Sequence, residues 1–367
     1  MSTSASPSSG ARTATVRVVT RKRKAEPARP FHLHRGDVLS TYADWAAPTV
    51  IVSDGAYGVG GFPGDPRTPA GLGEWYRPHI EAWSRYATPA TTLFFWNTEH
   101  GLLTVHPVLI ANGWKFEQVI TWDKGMAHAA GNVNGKTIRR LPTVTEVVGF
   151  YSRELLLPTP DVGPMPVQQW MRHEWQRAGL ALYKANVACG VRNAATRKYL
   201  TSDWLWYFPP GEMFERLASY ANEHGKHGGW PYYSLDGTTV PTAKEWDALR
   251  YRWNHQHGIT NVWEHGALHT AERLRGGGER SAPRKHTPSE KSATHLNQKP
   301  LELMRRCVDA VTAPGDVVWE PFGGLCTASV AAVASGRIAY AAEVVPRFAD
   351  LAEERLTAAW RATTASQ

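Results

Sequence analysis

The residues able to do chemistry sit where apolar runs stop. Val317-Val318-Trp319 ends in Glu320 and continues as Pro321-Phe322-Gly323-Gly324-Leu325-Cys326-Thr327, an acid and a glycine-bearing turn that opens a helical segment. Small residues at such a turn let backbone N–H groups approach a ligand closely, and the helix N-terminus favours a negative group such as a carboxylate. One apolar run later, Ala339-Tyr340-Ala341-Ala342 closes on Glu343. A carboxylate at the carboxyl end of the adjacent strand can accept hydrogen bonds from ribose hydroxyls. The two features together imply a nucleoside-containing cofactor. A third run, Ile51-Val52, stops at Ser53-Asp54-Gly55-Ala56-Tyr57-Gly58, and in isolation Asp54-Gly55 reads as an ordinary turn. The imidazoles at His255, His257 and His265 are irregularly spaced and lack carboxylate or cysteine partners, so no metal site is expected.

The elements that must position these residues follow from patterning. From residue 32 to about 151, short apolar runs alternate with helical segments: strand at 49–52, helix at 74–86, strand at 92–96, helix at 103–112, and strands at 116–122 and 144–151. The rhythm resumes after Asn297 with a helix at 300–312, strand 317–319, a helix, strand 338–342 and a final helix at 346–360. Such alternation is the signature of a doubly wound α/β sheet with helices on both faces. The four prolines between Pro158 and Pro166 break it, and residues 168–274 show no strand–helix alternation. The expected layout is therefore a tail at 1–29, an α/β half at 30–157, an inserted, mostly helical domain at 158–275, a glycine-rich charged linker at 276–294, and a second α/β half at 295–361.

With His295-Leu296-Asn297-Gln298-Lys299-Pro300 ahead of the glycine turn, the chain resembles the amino-specific DNA methyltransferases of the beta motif order. In that family a T-Q-K-P-like segment, a D-P-F-x-G-S-G-T cofactor loop and an acidic strand end follow one another, and a [D/N/S]-P-P-[Y/F/W] catalytic loop precedes them. The resemblance covers about two-thirds of the chain. It implies a Rossmann-like three-layer fold in permuted order that binds S-adenosylmethionine, needs no metal and acts on double-stranded DNA. It assigns catalysis to Asp54, Gly55 and Tyr57: the Asp side chain and the next carbonyl draw on the amino hydrogens, and the aromatic ring stacks on the extruded base. It assigns the cofactor to Asp37, Asp54, Gln298, Lys299, Glu320, Phe322, Gly323, Gly324, Thr327 and Glu343. Two departures carry expectations of their own. Gly55-Ala56 replaces both prolines, which predicts a looser catalytic loop unless Gly58-Val59-Gly60-Gly61 and the surrounding packing restore its order, and Leu325-Cys326 in place of Ser-Gly narrows the space near the methionine end.

Within the middle segment, residues 180–200 look like a helix-turn-helix. Ala188 falls at the close approach, Gly190 at the turn and Val191 inside, and Arg192, Asn193, Thr196 and Arg197 face outward towards DNA. A plain helical hairpin shares this pattern. The net charge of +8 favours an acidic partner, the Arg21-Lys22-Arg23-Lys24 tail suits backbone phosphates, and the sixteen tryptophans fit core packing with some base stacking. Three scattered cysteines give neither a disulfide framework nor a zinc site, and a cytoplasmic protein is expected. Asp54 leans the reading to adenine-N6 methylation. Cytosine-N4 methylation is the alternative, and a DNA-binding protein with a decayed methyltransferase domain is a second. A cognate restriction endonuclease is the partner such a reading admits.

Overall fold

A computed structural model describes residues 28–365, apart from 63, 127, 129–133, 135, 227, 267, 269–271 and 275–296. The expected basic tail to residue 27, the expected linker at 276–294, and His295 and Leu296 lie outside the described residues. The strands are β1 (Phe31–Arg35), β2 (Val50–Ser53), β3 (Thr92–Asn97), β4 (Trp114–Asp123), β5 (Thr145–Arg153), a small pair β6 (Leu156–Leu157) and β7 (Met165–Pro166), then β8 (Val262–Glu264), β9 (Val317–Glu320) and β10 (Ile338–Glu343). The helices are α1 (Leu72–Tyr86), α2 (Glu99–Ala111), α3 (Val167–Arg177), α4 (Lys184–Cys189), α5 (Ala194–Tyr199), α6 (Gly211–His224), α7 (Ala243–Asp247), α8 (Leu301–Val311), α9 (Thr327–Ala334) and α10 (Pro346–Ala365).

All strands but the small pair form one eight-stranded sheet in the order β1-β10-β9-β2-β3-β5-β4-β8. Only β5 opposes its neighbours, β3 and β4. Continuous apolar runs are needed because the sheet is covered on both faces. Val50, Val52, Phe94 and Trp96 pack with α8, α9 and α10, whereas Ile51, Leu93 and Phe95 pack with α1 and α2. In α8 the buried Leu303, Met304, Cys307, Val308 and Val311 recur at helical spacing, which lays one face of the helix on the sheet.

The connections β2–α1–β3 and β9–α9–β10 lead away from the sheet centre in opposite directions and place their helices on opposite faces. Right-handed crossovers require this, and it opens a crevice between the carboxyl ends of β2 and β9, where α/β sheets bind ligands. Asp54 and Glu320 end these two neighbouring strands.

A third core, built on Trp170, Trp175, Phe214, Tyr233 and Trp246, belongs to a separate helical unit of α3 to α7. Seven tryptophans, three of them in this unit, are among the largest fully buried side chains, so core packing accounts for much of the tryptophan content. Residues expected to end the insertion instead rejoin the α/β unit: Asn254 donates to Asp309 O and Thr312 O at 2.7 and 2.8 Å, and β8 pairs with β4.

The strand directions place the helical unit. Because β5 runs against the others, it starts at the carboxyl edge, with Thr145 opposite Asp123, and ends at the amino edge, with Ser152 opposite Thr92. A cleft of about 880 Å³ at that amino edge is lined by Thr49, Ala90 and Asp316 of the sheet unit and by Val167, Phe208 and Arg250 from the helical side. The helical unit thus joins the edge opposite Asp54, which lies five residues beyond the cleft-lining Thr49 along β2, about 17 Å away. Among the described residues no helix is long and apolar enough to cross a membrane.

Candidate active site

The catalytic loop leaves β2 at Ser53 and, in place of its missing prolines, is held by packing and by the amides of the glycine run that follows. Ala56 is fully buried, and its carbonyl accepts from Asn97 Nδ2 at 2.8 Å and Tyr76 Oη at 3.1 Å. The amides of Gly58, Val59 and Gly61 all donate to the Asp65 carboxylate, at 2.9, 3.3 and 2.8 Å. Three amides converging on one anion fix the turn through charge-assisted hydrogen bonds. At Gly55 a β-carbon would lie 2.5 Å from Phe322 Cδ2 and 2.7 Å from Tyr76 Oη, so the side chains of α1 and the cofactor loop stand where a larger residue would. Gly55→Ala is therefore expected to cost about 1–3 kcal/mol of stability through overpacking and to displace the adjacent Asp54. Urea unfolding and initial rates read both effects, and a variant with unchanged midpoint and rate would show that the space is not needed.

Four side chains, Tyr57, Lys124, Glu146 and Lys299, gather in one polar cluster around Asp54. Lys299 Nζ lies 2.9 Å from Asp54 Oδ1 and 3.2 Å from Glu146 Oε2, and Lys124 Nζ pairs with the other oxygen of Glu146. The Tyr57 hydroxyl accepts from Lys299 at 2.9 Å and shares its own proton between Asp54 Oδ1 at 2.8 Å and Glu146 Oε2 at 3.2 Å. Two cations and two anions balance in a site where Lys299 is only 3% exposed. Burial pushes the Asp54 carboxyl up, against the pull of Lys299. Burial acts the same way on Glu146, but there Lys299 and Lys124 win and hold it down at about 2. Lys299, despite a burial that opposes its charge, is raised by Asp54 and Glu146.

The sequence pointed to Asp54, Tyr57 and Lys299 and marked the strand ends at Lys124 and Glu146 as flanking the base pocket and closing the hairpin, but gave those two side chains no role. Their one local signal is charge at the ends of otherwise apolar strands, Trp122-Asp123-Lys124 and Thr145-Glu146-Val147. Tyr57, expected to offer its ring for stacking, spends its hydroxyl on this cluster and has the Lys299 ammonium 5.0 Å from its ring centre.

The cofactor loop differs from expectation in how its side chains are used. Glu320 accepts from the amides of Ala328 at 3.0 Å and Ser329 at 2.7 Å, so the anion at this helix N-terminus is the chain's own. Burial, partly offset by those amides, lifts its carboxyl to about 7. Glutamate, one methylene longer than the family's aspartate, has the reach for these first-turn amides of α9. Gln298 spends its side-chain amide on Glu272 O and Leu274 N, at 2.9 and 3.1 Å, bracing the chain beside the site. Phe322 packs into Trp75, Tyr76 and His79, and Thr327 is buried, with its hydroxyl taking a bond from Arg355 at 3.2 Å.

Cys326 stands where the family has glycine and adopts the left-handed conformation, φ 52° and ψ 47°, which only glycine takes without strain. Its side chain and that of Leu325 are buried. A β-carbon on Gly323 would lie 2.6 Å from the Cys326 sulfur, so the two positions constrain each other. Glu343 accepts from Gly324 N at 2.6 Å and Val345 N at 2.7 Å. Asp37, exposed at the end of the neighbouring β1, takes the amide of Leu39 at 3.0 Å. Asp37, Asp54, Glu320, Gly323, Gly324 and Glu343 thus gather along one edge of the sheet.

Arg192, Asn193, Thr196 and Arg197, expected to face outward together, lie on α5 and the turn before it. Gly190 makes a left-handed turn between α4 and α5, at φ 67°; Ala185, Cys189 and Ala195 are buried in the core of the helical unit, and Ala188 is partly buried against it. Arg192, Asn193 and Arg197 are exposed. Thr196 faces inward, its hydroxyl donating to Leu182 O at 3.0 Å and its amide to Asn186 Oδ1 at 3.1 Å.

Comparison with known proteins adds the following. The profile of a family described as DNA methylase, of the N6/N4 type, matches residues 48–354. The DNA adenine methyltransferase YhdJ of Escherichia coli (strain K12) is 30% identical over 107 residues, 29% of this chain. The match spans 31% of that curated relative's length. Among solved structures, the M1.HpyAVI–SAM complex is similar over 89% of this chain and 99% of its own, with 13% identity and a TM-score of 0.43. The cytosine-N4-specific PvuII DNA methyltransferase is similar over 93% of this chain and 94% of its own, with 12% identity and a TM-score of 0.45.

Proposed function

Because the chain belongs to the N6/N4 family of DNA methylases, we propose that it transfers a methyl group from S-adenosylmethionine to the exocyclic N6 of adenine in duplex DNA. The observation that carries this reading is the placement of Asp54, with its clamped loop, one strand from the Glu320–Thr327 turn in the crevice where the sheet reverses its winding. When bound, S-adenosylmethionine supplies a methyl group activated by its sulfonium charge. The residues present fit such a group: Glu343 and Asp37 offer carboxylate oxygens to ribose hydroxyls, and Gly323 and Gly324 keep the turn free of side chains.

The chain's own contribution is to the nucleophile. An exocyclic amine is a poor nucleophile because its lone pair is delocalised into the ring. The Asp54 carboxylate and the Gly55 carbonyl, accepting the two amino hydrogens, localise that pair on nitrogen and take up charge as the methyl group arrives and a proton leaves. Lys299 keeps Asp54 ionised against its burial, and Glu146 keeps Lys299 in place. Burial of the cluster strengthens each of these interactions relative to water.

Adenine is favoured by the aspartate at position 54 and by the adenine-directed relative. The test is nucleoside analysis of unmethylated duplex DNA incubated with the protein and methyl-labelled S-adenosylmethionine. Label in N6-methyladenine is expected, label in N4-methylcytosine would move the assignment to the other amino base, and no label with intact cofactor binding would refute methyl transfer.

A further inference from the structure

A methylase must bring its duplex to the edge that carries the catalytic residue, and the positions of the helical unit and of the β4–β5 hairpin on that criterion are opposite. The helical unit joins the amino edge of the sheet. Its charge is also nearly balanced, with ten basic and nine acidic residues between 158 and 250, which gives little attraction for a polyanion. The hairpin springs from the carboxyl edge, where Asp123 and Thr145 face each other. Its two stems place Lys124 and Glu146 in the catalytic cluster itself. Between 124 and 144 the chain has four basic residues and no acidic one. Lys136, Arg139 and Arg140 are exposed there, and Leu141, directly beside them, is 88% exposed.

An isolated exposed leucine is unremarkable. One that follows three cations in the hairpin whose stems reach a site that acts on a base has the composition of an apolar wedge, in which cations hold the phosphates and an aliphatic side chain enters the stack.

Resting on the DNA-methylase reading, we propose that Lys136, Arg139 and Arg140 grip the backbone of duplex DNA and that Leu141 fills the space vacated by the extruded base. The helical unit's Arg192 and Arg197 lie outside this contact.

The test uses the full chain, unmethylated duplex DNA at several salt concentrations, and S-adenosylmethionine affinity as a check on folding. Replacing Lys136, Arg139 and Arg140 together with alanine is expected to weaken binding by about ten-fold or more at low salt. The same change should flatten the dependence of log affinity on log salt by about 0.9 for each phosphate that the variant no longer neutralises. Replacing Arg192 and Arg197 should leave both quantities unchanged. Leu141→Ser should slow methylation of a fully paired duplex, and the rate should return when the target base faces an abasic position, because less stacking and pairing must then be broken.

Unchanged affinity and slope in the triple variant, or losses that follow Arg192 and Arg197 instead, would overturn the grip. A Leu141→Ser rate that the abasic partner does not restore would overturn the wedge. A wild-type chain that binds S-adenosylmethionine yet labels no duplex DNA would fail the methylase reading itself, an outcome distinct from both.

Discussion

Asp54→Ala is expected to lower the rate of methyl transfer by about 10²–10⁴-fold, the range for losing a positioned proton acceptor, while cofactor and DNA affinities change only a few-fold. The asymmetry follows from where the carboxylate acts: it meets hydrogens that become acidic only as the methyl group arrives, so its loss raises the barrier more than it weakens the ground state. Asp54→Asn keeps an acceptor oxygen in place and should retain more activity than the alanine variant. Since burial raises the Asp54 carboxyl above its ordinary value and only the ionised form accepts, activity should fall with decreasing pH along a limb above the usual aspartate range. Single-turnover rates against pH test this directly. An alanine variant within ten-fold of wild type would remove Asp54 from the chemistry.

The largest effect on stability is expected at Lys299. Removing one partner of a buried ion pair strands the other, at about 3–5 kcal/mol, and Lys299→Met would strand Asp54 while leaving Glu146 only Lys124. The pH dependence separates this cause from a packing defect. In the wild type, Glu146 sits at about 2, below its ordinary value of 4.5, so its stabilising contribution is present above pH 4.5 and is lost only as the pH falls through about 2. In the variant, Asp54 keeps its burial but loses its cation. Its carboxyl rises further, and a raised acid contributes stability at low pH that disappears as the pH rises through the shifted value. The deficit relative to wild type should therefore be greatest near pH 8 and shrink towards pH 5. Urea midpoints of the two proteins across that range measure it, and a deficit that does not vary with pH would mean that the loss is one of packing alone.

Much of this organisation is local enough to read from residues in order. Short apolar runs rich in β-branched and aromatic residues, with no polar interruption, read as strands covered on both faces, and the helical spacing of Leu303, Met304, Cys307, Val308 and Val311 can lay only one side of a helix on a sheet. An acid and glycines at a strand end announce a binding turn wherever the strand later lies. The roles of individual side chains needed the third dimension. Glu320 is claimed by helix amides a turn further on, and Cys326 shows its left-handed backbone only once folded. The cluster on Asp54 draws Lys299, Glu146 and Lys124 from distant parts of the chain. The sheet order, which joins β9 to β2 and inserts β5 between β3 and β4, brings them together. The direction of β5 likewise decides that the helical insertion leaves from the edge opposite Asp54. Strand order and direction are set by which non-local pairings bury the most apolar surface, a sum over the whole chain that no single segment encodes.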